Sequence, residues 1–298
     1  MGYLFLALAL SVGLIKGYCG KRTSYAITRT RDAITITTVR MLLCCVIGFI
    51  LPIITGSSLA VSDPKMILIA LISGFCSAGF VSCWLLAVRN SMYMMVEVFV
   101  AGGVIIPLVF CNILYDEPIS VVDAICVALI LVGVYLISAT GNGEKGRWTL
   151  RGIALLVITM LFCGASSLSQ KVFTNEFPGA NALVYNFYVY VFAAAALLVV
   201  SLVLTIKDRE PLRVSLGVVK PIWLYVLIMA ACLFLNSYFN TLAASRLAAV
   251  VLYPVSQGLA MVLSLLMAVV VFKEKINVKA AIGIALTLAA IVLLNLNF

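Results

Sequence analysis

Histidine is absent from the 298-residue sequence. The side chain that most often serves as a general base is therefore missing, and so is the commonest protein ligand of transition metals. The glycine-rich stretch at 141–146 lacks the Lys-Ser or Lys-Thr ending of a nucleotide-binding P-loop. These absences argue against an enzyme and against an ATP-driven pump, and they predict neither a metal site nor a cofactor.

Charged residues are also scarce. They make up 10% of the chain, whereas soluble proteins contain about 25%. Hydrophobic residues reach 64%, and the mean hydropathy is +1.21. This composition predicts an all-α polytopic membrane protein. The nine cysteines lie within or at the end of apolar runs, so we expect small buried residues and not a disulfide scaffold.

The apolar runs are long enough to cross a bilayer, which takes about 20 residues of helix. They are also too long and too continuously apolar for the alternating strands of a membrane β-barrel. The predicted spans lie at about 2–20, 33–54, 65–88, 91–113, 118–139, 150–171, 181–206, 221–243, 246–272 and 277–296. The sequence therefore predicts ten transmembrane helices.

An internal repeat organises these spans. Arg89 precedes span four and Arg246 precedes span nine, a shift of 157 residues (246 − 89 = 157). At the same shift Tyr115-Asp116-Glu117 matches Phe272-Lys273-Glu274. Each half holds five spans, and an odd number makes the second half enter the membrane from the opposite side. We therefore expect two inverted five-helix repeats around a central cavity, at 1–140 and 150–298, with a linker at 141–149.

The residues at the last junction of each half resemble a known family. The stretches 271–286 and 289–294 are similar to the junction of the last two helices in EamA-type members of the drug/metabolite transporter (DMT) superfamily. The stretches 115–120 and 128–136 resemble the matching junction of the first half. A departure is Gly13-Leu-Ile-Lys16, where the family has a tryptophan-glycine pair. The resemblance implies a ten-helix transporter but names no substrate, since the family moves amino acids, nucleotide-linked sugars, organic cations and other metabolites.

Basic residues bear on the orientation. Most Lys and Arg lie in the loops after the odd-numbered spans, which predicts that these loops face the cytoplasm and that both termini lie outside. The family resemblance implies the opposite orientation. Lys16 and Arg40 flank the first loop and are expected to snorkel toward it. The loops and anionic lipid heads account for the net charge of +9, so no nucleic-acid partner is expected.

Polar and aromatic residues inside the apolar spans are the candidates for a substrate site. Glu97 leads, because a carboxylate at bilayer depth is costly, and at the repeat shift it corresponds to Pro254. The predicted substrate-binding residues are Trp84, Tyr93, Glu97, Tyr185, Tyr188, Asn236, Asn240, Tyr253 and Gln257. Each has a structural alternative: Glu97 snorkels or pairs with Arg89 or Arg40, the amides join helices by hydrogen bonds, and the aromatic residues form interfacial belts.

These features predict a secondary active transporter. Its expected substrates are small polar metabolites, organic cations or amino acids, moved across the cytoplasmic membrane by alternating access with proton or exchange coupling left open. Glu97 is predicted to bind a cationic or zwitterionic substrate or to carry a coupling proton. The expected partners are the substrate and the lipid bilayer, for a monomer or homodimer. The alternative is a non-transporting membrane protein, such as a receptor or an assembly subunit.

Overall fold

The computed structural model describes residues 1–60, 63–90, 93–117, 119–138, 150–208, 217–272 and 278–296. The predicted linker at 141–149 lies outside these residues. Within them the regular structure is helical, with eleven α-helices and a short 3-10 turn at Lys220–Ile222. The α-helices are α1 (Gly2–Ser24), α2 (Thr30–Ile54), α3 (Pro64–Asn90), α4 (Tyr93–Gly102), α5 (Ile105–Tyr115), α6 (Val121–Ser138), α7 (Leu150–Glu176), α8 (Ala182–Asp208), α9 (Trp223–Ala244), α10 (Ala249–Phe272) and α11 (Val278–Leu296).

The helices follow the predicted apolar runs. Six of them, α1, α2, α3, α7, α8 and α9, are long and apolar enough to cross a membrane. Shorter apolar helical stretches lie at Phe99–Tyr115, Val121–Gly133, Ala249–Ser264 and Ala281–Leu293. The chain is thus a multi-pass helical membrane protein, and the full count of ten spans stays a prediction.

Polar side chains between the apolar runs cap the helices. The Asp32 carboxylate accepts hydrogen bonds from the backbone N–H groups of Thr28 (2.9 Å) and Arg29 (2.7 Å) at the start of α2. At the start of α6, the Ser120 N–H donates to Asp123 Oδ2 (2.9 Å) and the Asp123 N–H donates to Ser120 Oγ (3.1 Å). The bonds at α6 are reciprocal, and both sets satisfy backbone donors that have no partner within the helix. They explain why the helices begin at these residues.

The fourth predicted span is broken into two helices. Gly103 and Val104 form a turn between α4 and α5, and the Gly103 N–H donates to the carbonyls of Phe99 (3.2 Å) and Val100 (3.0 Å). A Cβ on Gly103 would lie 2.8 Å from the Met160 carbonyl oxygen, and one on Gly164 would lie 2.5 Å from the Gly103 carbonyl oxygen. Glycine at both positions therefore lets the turn rest directly on the backbone of α7.

The helices of the two halves pack against each other in a regular pattern. The most extensive pairings are α1 with α9, α3 with α7, α2 with α8, and α6 with α11. If α4 and α5 are counted as one broken span, each span of the first half has a counterpart at the same place in the second. When every span is replaced by its counterpart, the same four pairings result; the pair α1 with α9, for example, becomes α7 with α3. This exchange is the packing that two related five-span units produce when they associate about a twofold axis.

Candidate functional site

A cavity of about 220 Å³ lies between the two halves. Its walls come from α1, α2, α3 and α4 of the first half and from α7, α8, α9 and α10 of the second. The polar and charged lining residues are Lys16, Arg40, Ser77, Trp84, Glu97, Ser166, Ser167, Gln170, Tyr190, Asn236, Ser237, Asn240, Ser256, Gln257 and Ser264. A polar cavity enclosed by otherwise apolar helices is the arrangement expected of a small-molecule site.

Glu97 lies in the cavity wall on α4 and is partly buried. Its Oε1 accepts a hydrogen bond of 3.0 Å from the indole Nε1 of Trp84 on α3. The Trp84 ring is in turn held against α1, because a Cβ on Gly20 would lie 2.9 Å from it. Apolar contacts among α3, α4 and α7, including Val96 and Val100, hold α4 in place beside the carboxylate. Glu97 therefore occupies a defined position at the cavity.

Asn236 and Asn240 are one helical turn apart on α9 and both line the cavity. Asn236 Nδ2 donates to the Ala9 carbonyl of α1 at 2.7 Å. Asn236 Oδ1 accepts from Asn240 Nδ2 at 3.3 Å and from Lys16 Nζ at 3.5 Å. The pair thus joins α9 to α1, as the structural alternative expected, and also holds a lysine at the cavity surface.

A second hydrogen-bond chain runs from the cavity into α8. Gln170 Nε2 donates to Ser237 Oγ at 3.1 Å, and Ser237 Oγ donates to Asn186 Oδ1 at 2.6 Å. Asn186 is fully buried and donates to Thr241 Oγ1 at 3.2 Å. Across the cavity, Ser77 Oγ and Ser166 Oγ lie 3.0 Å apart and join α3 to α7. These bonds fix the side chains that face the cavity.

Arg40 is the least expected residue of the lining. Only 2% of it is exposed. Its Nε and Nη2 atoms have no hydrogen-bond partner among the described residues. Lys16, also in the lining, interacts electrostatically with both Arg40 and Glu97. The cavity therefore brings together two cations and one carboxylate.

The predicted site residues divide into those that line the cavity and those that do not. Trp84, Glu97, Asn236, Asn240 and Gln257 line it. Tyr93 begins α4, and its side chain lies outside the described part of the structure. Three predicted tyrosines are placed elsewhere.

Those three tyrosines are held in helix packing. Tyr185 is fully buried and stacks on Phe173 with ring centroids 3.8 Å apart. The Tyr188 hydroxyl donates to the Leu59 carbonyl (2.9 Å), and the Tyr253 hydroxyl donates to the Ser167 carbonyl (2.7 Å). Tyr185 and Tyr253 thus contact α7, and Tyr188 ties α8 to the segment between α2 and α3.

Sequence reasoning did not select Lys16 and Arg40 for the site. Both lie near the inner edges of predicted spans one and two, where a long side chain is able to reach the interface, so we expected them to snorkel. The structure instead places both in the cavity wall. The argument that selected Glu97 also applies to Lys16 and Arg40: a charged residue within an apolar run is costly, so it is a candidate for a functional site.

A second charged cluster joins the two halves at one end of the bundle. Lys171 of α7 forms an ion pair of 3.2 Å with Glu117, which follows α5. Lys171 Nζ also donates to the carbonyls of Ala244 (3.2 Å) and Leu247 (2.8 Å). Glu117 Oε2 accepts from the Ala249 N–H (2.8 Å) at the start of α10. The pair therefore ties the end of α5 to the turn between α9 and α10.

Comparison with known proteins agrees with this architecture. A protein of known crystal structure superposes with a TM-score of 0.74 over 99% of this chain and 96% of its own, at 17% sequence identity, which shows the shared fold alone. No curated protein matches the chain in sequence. The EamA-like transporter family matches twice, over residues 3–139 and 150–296. The chain belongs to the EamA-like transporter family, part of the drug/metabolite transporter superfamily.

Proposed function

We propose that the protein is a secondary active transporter that moves a small polar metabolite through the cavity by alternating access. The observation that carries the proposal is the cavity itself, because both halves of the chain supply its polar walls. A site at the junction of two repeats changes its access when one half rocks against the other. An assembly subunit has no need of such a site.

The proposal includes inversion of the two repeats. Each matched family region spans half of the chain, and each half contributes five predicted spans. With an odd number per half, the second unit starts from the opposite side of the membrane. The exchange of helix pairings between the halves supports this relation. Inverted halves that each close one end of the cavity supply the two states that alternating access requires.

Energy for transport is proposed to come from gradients. The family match assigns both long regions of the chain to transporter repeats. The substrate's own gradient, a coupled proton or exchange with a second solute then drives net movement. Glu97 is the proposed residue for either substrate binding or proton coupling, since it is a carboxylate in the cavity wall.

Reconstituted flux tests this function directly. Purified protein in liposomes is assayed for counterflow of radiolabelled amino acids, organic acids and organic cations, with protein-free liposomes as the blank. We expect saturable uptake of at least one compound. If none of the three classes moves faster than in protein-free liposomes, the alternative of a non-transporting membrane protein is favoured.

Glu97→Gln then separates the two roles of the carboxylate. If Glu97 binds substrate, the variant should bind more weakly at every pH. If Glu97 carries a coupling proton, binding should stay intact and exchange should no longer respond to a pH gradient. Glu176→Gln removes the same charge at an exposed position outside the cavity and serves as the control. Wild-type flux with unchanged pH dependence in Glu97→Gln would refute both roles.

A further inference from the structure

Two buried cations of this protein have opposite surroundings. Lys171 is 5% exposed and is satisfied by a carboxylate and two backbone carbonyls. Arg40 is 2% exposed, yet its Nε and Nη2 have no partner among the described residues. A buried charge that lacks partners costs several kcal/mol, and proteins retain such charges for a reason. Arg40 lines the cavity, so a ligand in the cavity is its candidate partner.

The unpartnered atoms have a specific geometry. Nε and Nη2 lie along one edge of the guanidinium, and their N–H bonds point in parallel. This edge is the fork that binds the two oxygens of a carboxylate with two parallel hydrogen bonds. An ammonium group or an uncharged amide nitrogen cannot accept from it. Both nitrogens are buried in this structure, and an edge of this kind binds an anionic, planar acceptor best.

The charge balance of the cavity leads to the same class of ligand. Among the described lining residues, Lys16 and Arg40 contribute two positive charges and Glu97 contributes one negative charge. One positive charge is left over, and a ligand with a net charge of −1 neutralises it. The cavity of about 220 Å³ has the volume of roughly seven water molecules, so it accommodates a ligand of the size of a small metabolite.

We propose that Arg40, assisted by Lys16, is the anion subsite of the cavity and that the substrate is a small organic acid with a carboxylate and a net charge of −1. A monocarboxylate and an acidic amino acid both meet this description. The inference rests on the proposed function, since the bound acid is taken to be the transported substrate. It differs from the cationic or zwitterionic substrate that Glu97 alone predicted, because the two cations reverse the charge balance.

The first test measures thermal stability without ligand. Arg40→Gln should raise the unfolding midpoint in detergent by at least about 2 °C, because it removes an unpaired buried charge. Lys171→Met, at a buried cation with partners, should lower the midpoint. If Arg40→Gln lowers the midpoint as Lys171→Met does, Arg40 has a structural role and the anion subsite is refuted.

The second test measures ligand-induced stabilisation. The probes are lactate, pyruvate, aspartate and glutamate. Lactate and pyruvate are compared with lactamide and pyruvamide, which lack the carboxylate, and aspartate and glutamate with asparagine and glutamine, which keep the α-carboxylate but have no net charge. At least one acid should raise the midpoint of the wild-type protein while its amide does not. Arg40→Gln should abolish that shift, and Arg40→Lys should weaken the apparent affinity at least about tenfold, because it keeps the charge but loses the fork.

Controls make the result decisive. Lys65→Gln also removes one positive charge, at an exposed position outside the cavity, and should keep the wild-type response to the acid. Inorganic phosphate is tested beside the acids, and stabilisation by phosphate alone would overturn the carboxylate assignment. The proposal also fails if no acid stabilises the wild-type protein, if the amides act equally, or if Arg40→Gln keeps the response.

The outcome separates this inference from the proposed function. Arg40-dependent binding of an acid without flux in liposomes would refute the transporter and leave the anion subsite standing. Flux of neutral or cationic compounds that is unchanged in Arg40→Gln would refute the anion subsite and leave the transporter standing.

Discussion

Removal of Lys171 should weaken the junction between the two halves of the protein. Its side chain is 6% exposed and that of Glu117 is 19% exposed, so water screens the pair poorly. In Lys171→Met, the Glu117 carboxylate keeps its bond to the Ala249 N–H but loses its counter-ion. The carbonyls of Ala244 and Leu247 lose a charged donor as well. Nothing else described in this cluster replaces the ammonium group.

The expected cost follows from the chemistry of buried pairs. Loss of one partner of a buried ion pair costs about 3–5 kcal/mol, because the other charge stays behind without compensation. For a chain of this size that corresponds to a fall in the unfolding midpoint of roughly 5–10 °C. Glu117→Gln should have a similar cost, since it leaves Lys171 without its carboxylate. The double variant should lose less than the two single variants combined, because neither charge is then left alone.

The assay is thermal unfolding of purified protein in one detergent at constant lipid content. Lys65→Met, which removes an exposed base, is the matched control and should leave the midpoint within about 1 °C. The double-mutant cycle should show a coupling of at least about 1 kcal/mol between Lys171 and Glu117. Strictly additive losses, or a loss in Lys171→Met no larger than in Lys65→Met, would show that the pair does not hold the halves together.

Two further predictions concern helix packing and orientation. Gly164→Ala should strongly reduce the yield of folded protein in detergent, because its Cβ would lie 2.5 Å from the Gly103 carbonyl oxygen. Gly179→Ala is the control: a Cβ there meets no heavy atom within 4 Å, and at a φ of +88° it should cost only local backbone strain. Equal yields of the two variants would contradict the close packing of Gly164 on Gly103. In a cysteine-free background, an impermeant maleimide applied to intact cells should label Ser58→Cys and spare Tyr25→Cys if the charge-based orientation holds, and the reverse pattern supports the family-based one.

Much of the fold could be predicted from the run lengths. In lipid each backbone polar group must be satisfied within the chain, so long apolar runs become helices wherever they occur. In the structure, Asp32 and Asp123 cap free N–H groups at the starts of α2 and α6. The break at Gly103 was not predicted, since an apolar sequence with two adjacent glycines is also compatible with an unbroken helix. The contact with Gly164 that favours the turn lies far away in the sequence.

The candidate site could be predicted in part. Trp84, Glu97, Asn236, Asn240 and Gln257 line the cavity, and whether they bind substrate stays a prediction. The sequence marked them because polar groups interrupt apolar spans at a cost. The same reasoning also selected Tyr185, Tyr188 and Tyr253, which hydrogen-bond to or stack on neighbouring parts of the bundle. Composition shows that a residue is unusual in its span but not which way it faces.

By itself, the sequence determined a helical membrane protein with two related halves, because hydrophobic run length and repeated motifs are local properties of the chain. Only the tertiary structure decided which side chains share the cavity, because the rotation of each helix is set by its neighbours in the bundle. Arg40 shows the difference most clearly. Its sequence position permitted snorkelling to the interface, whereas the packing of α2 against α8 and α9 leaves it 2% exposed in the wall of the cavity that Lys16 and Glu97 also line.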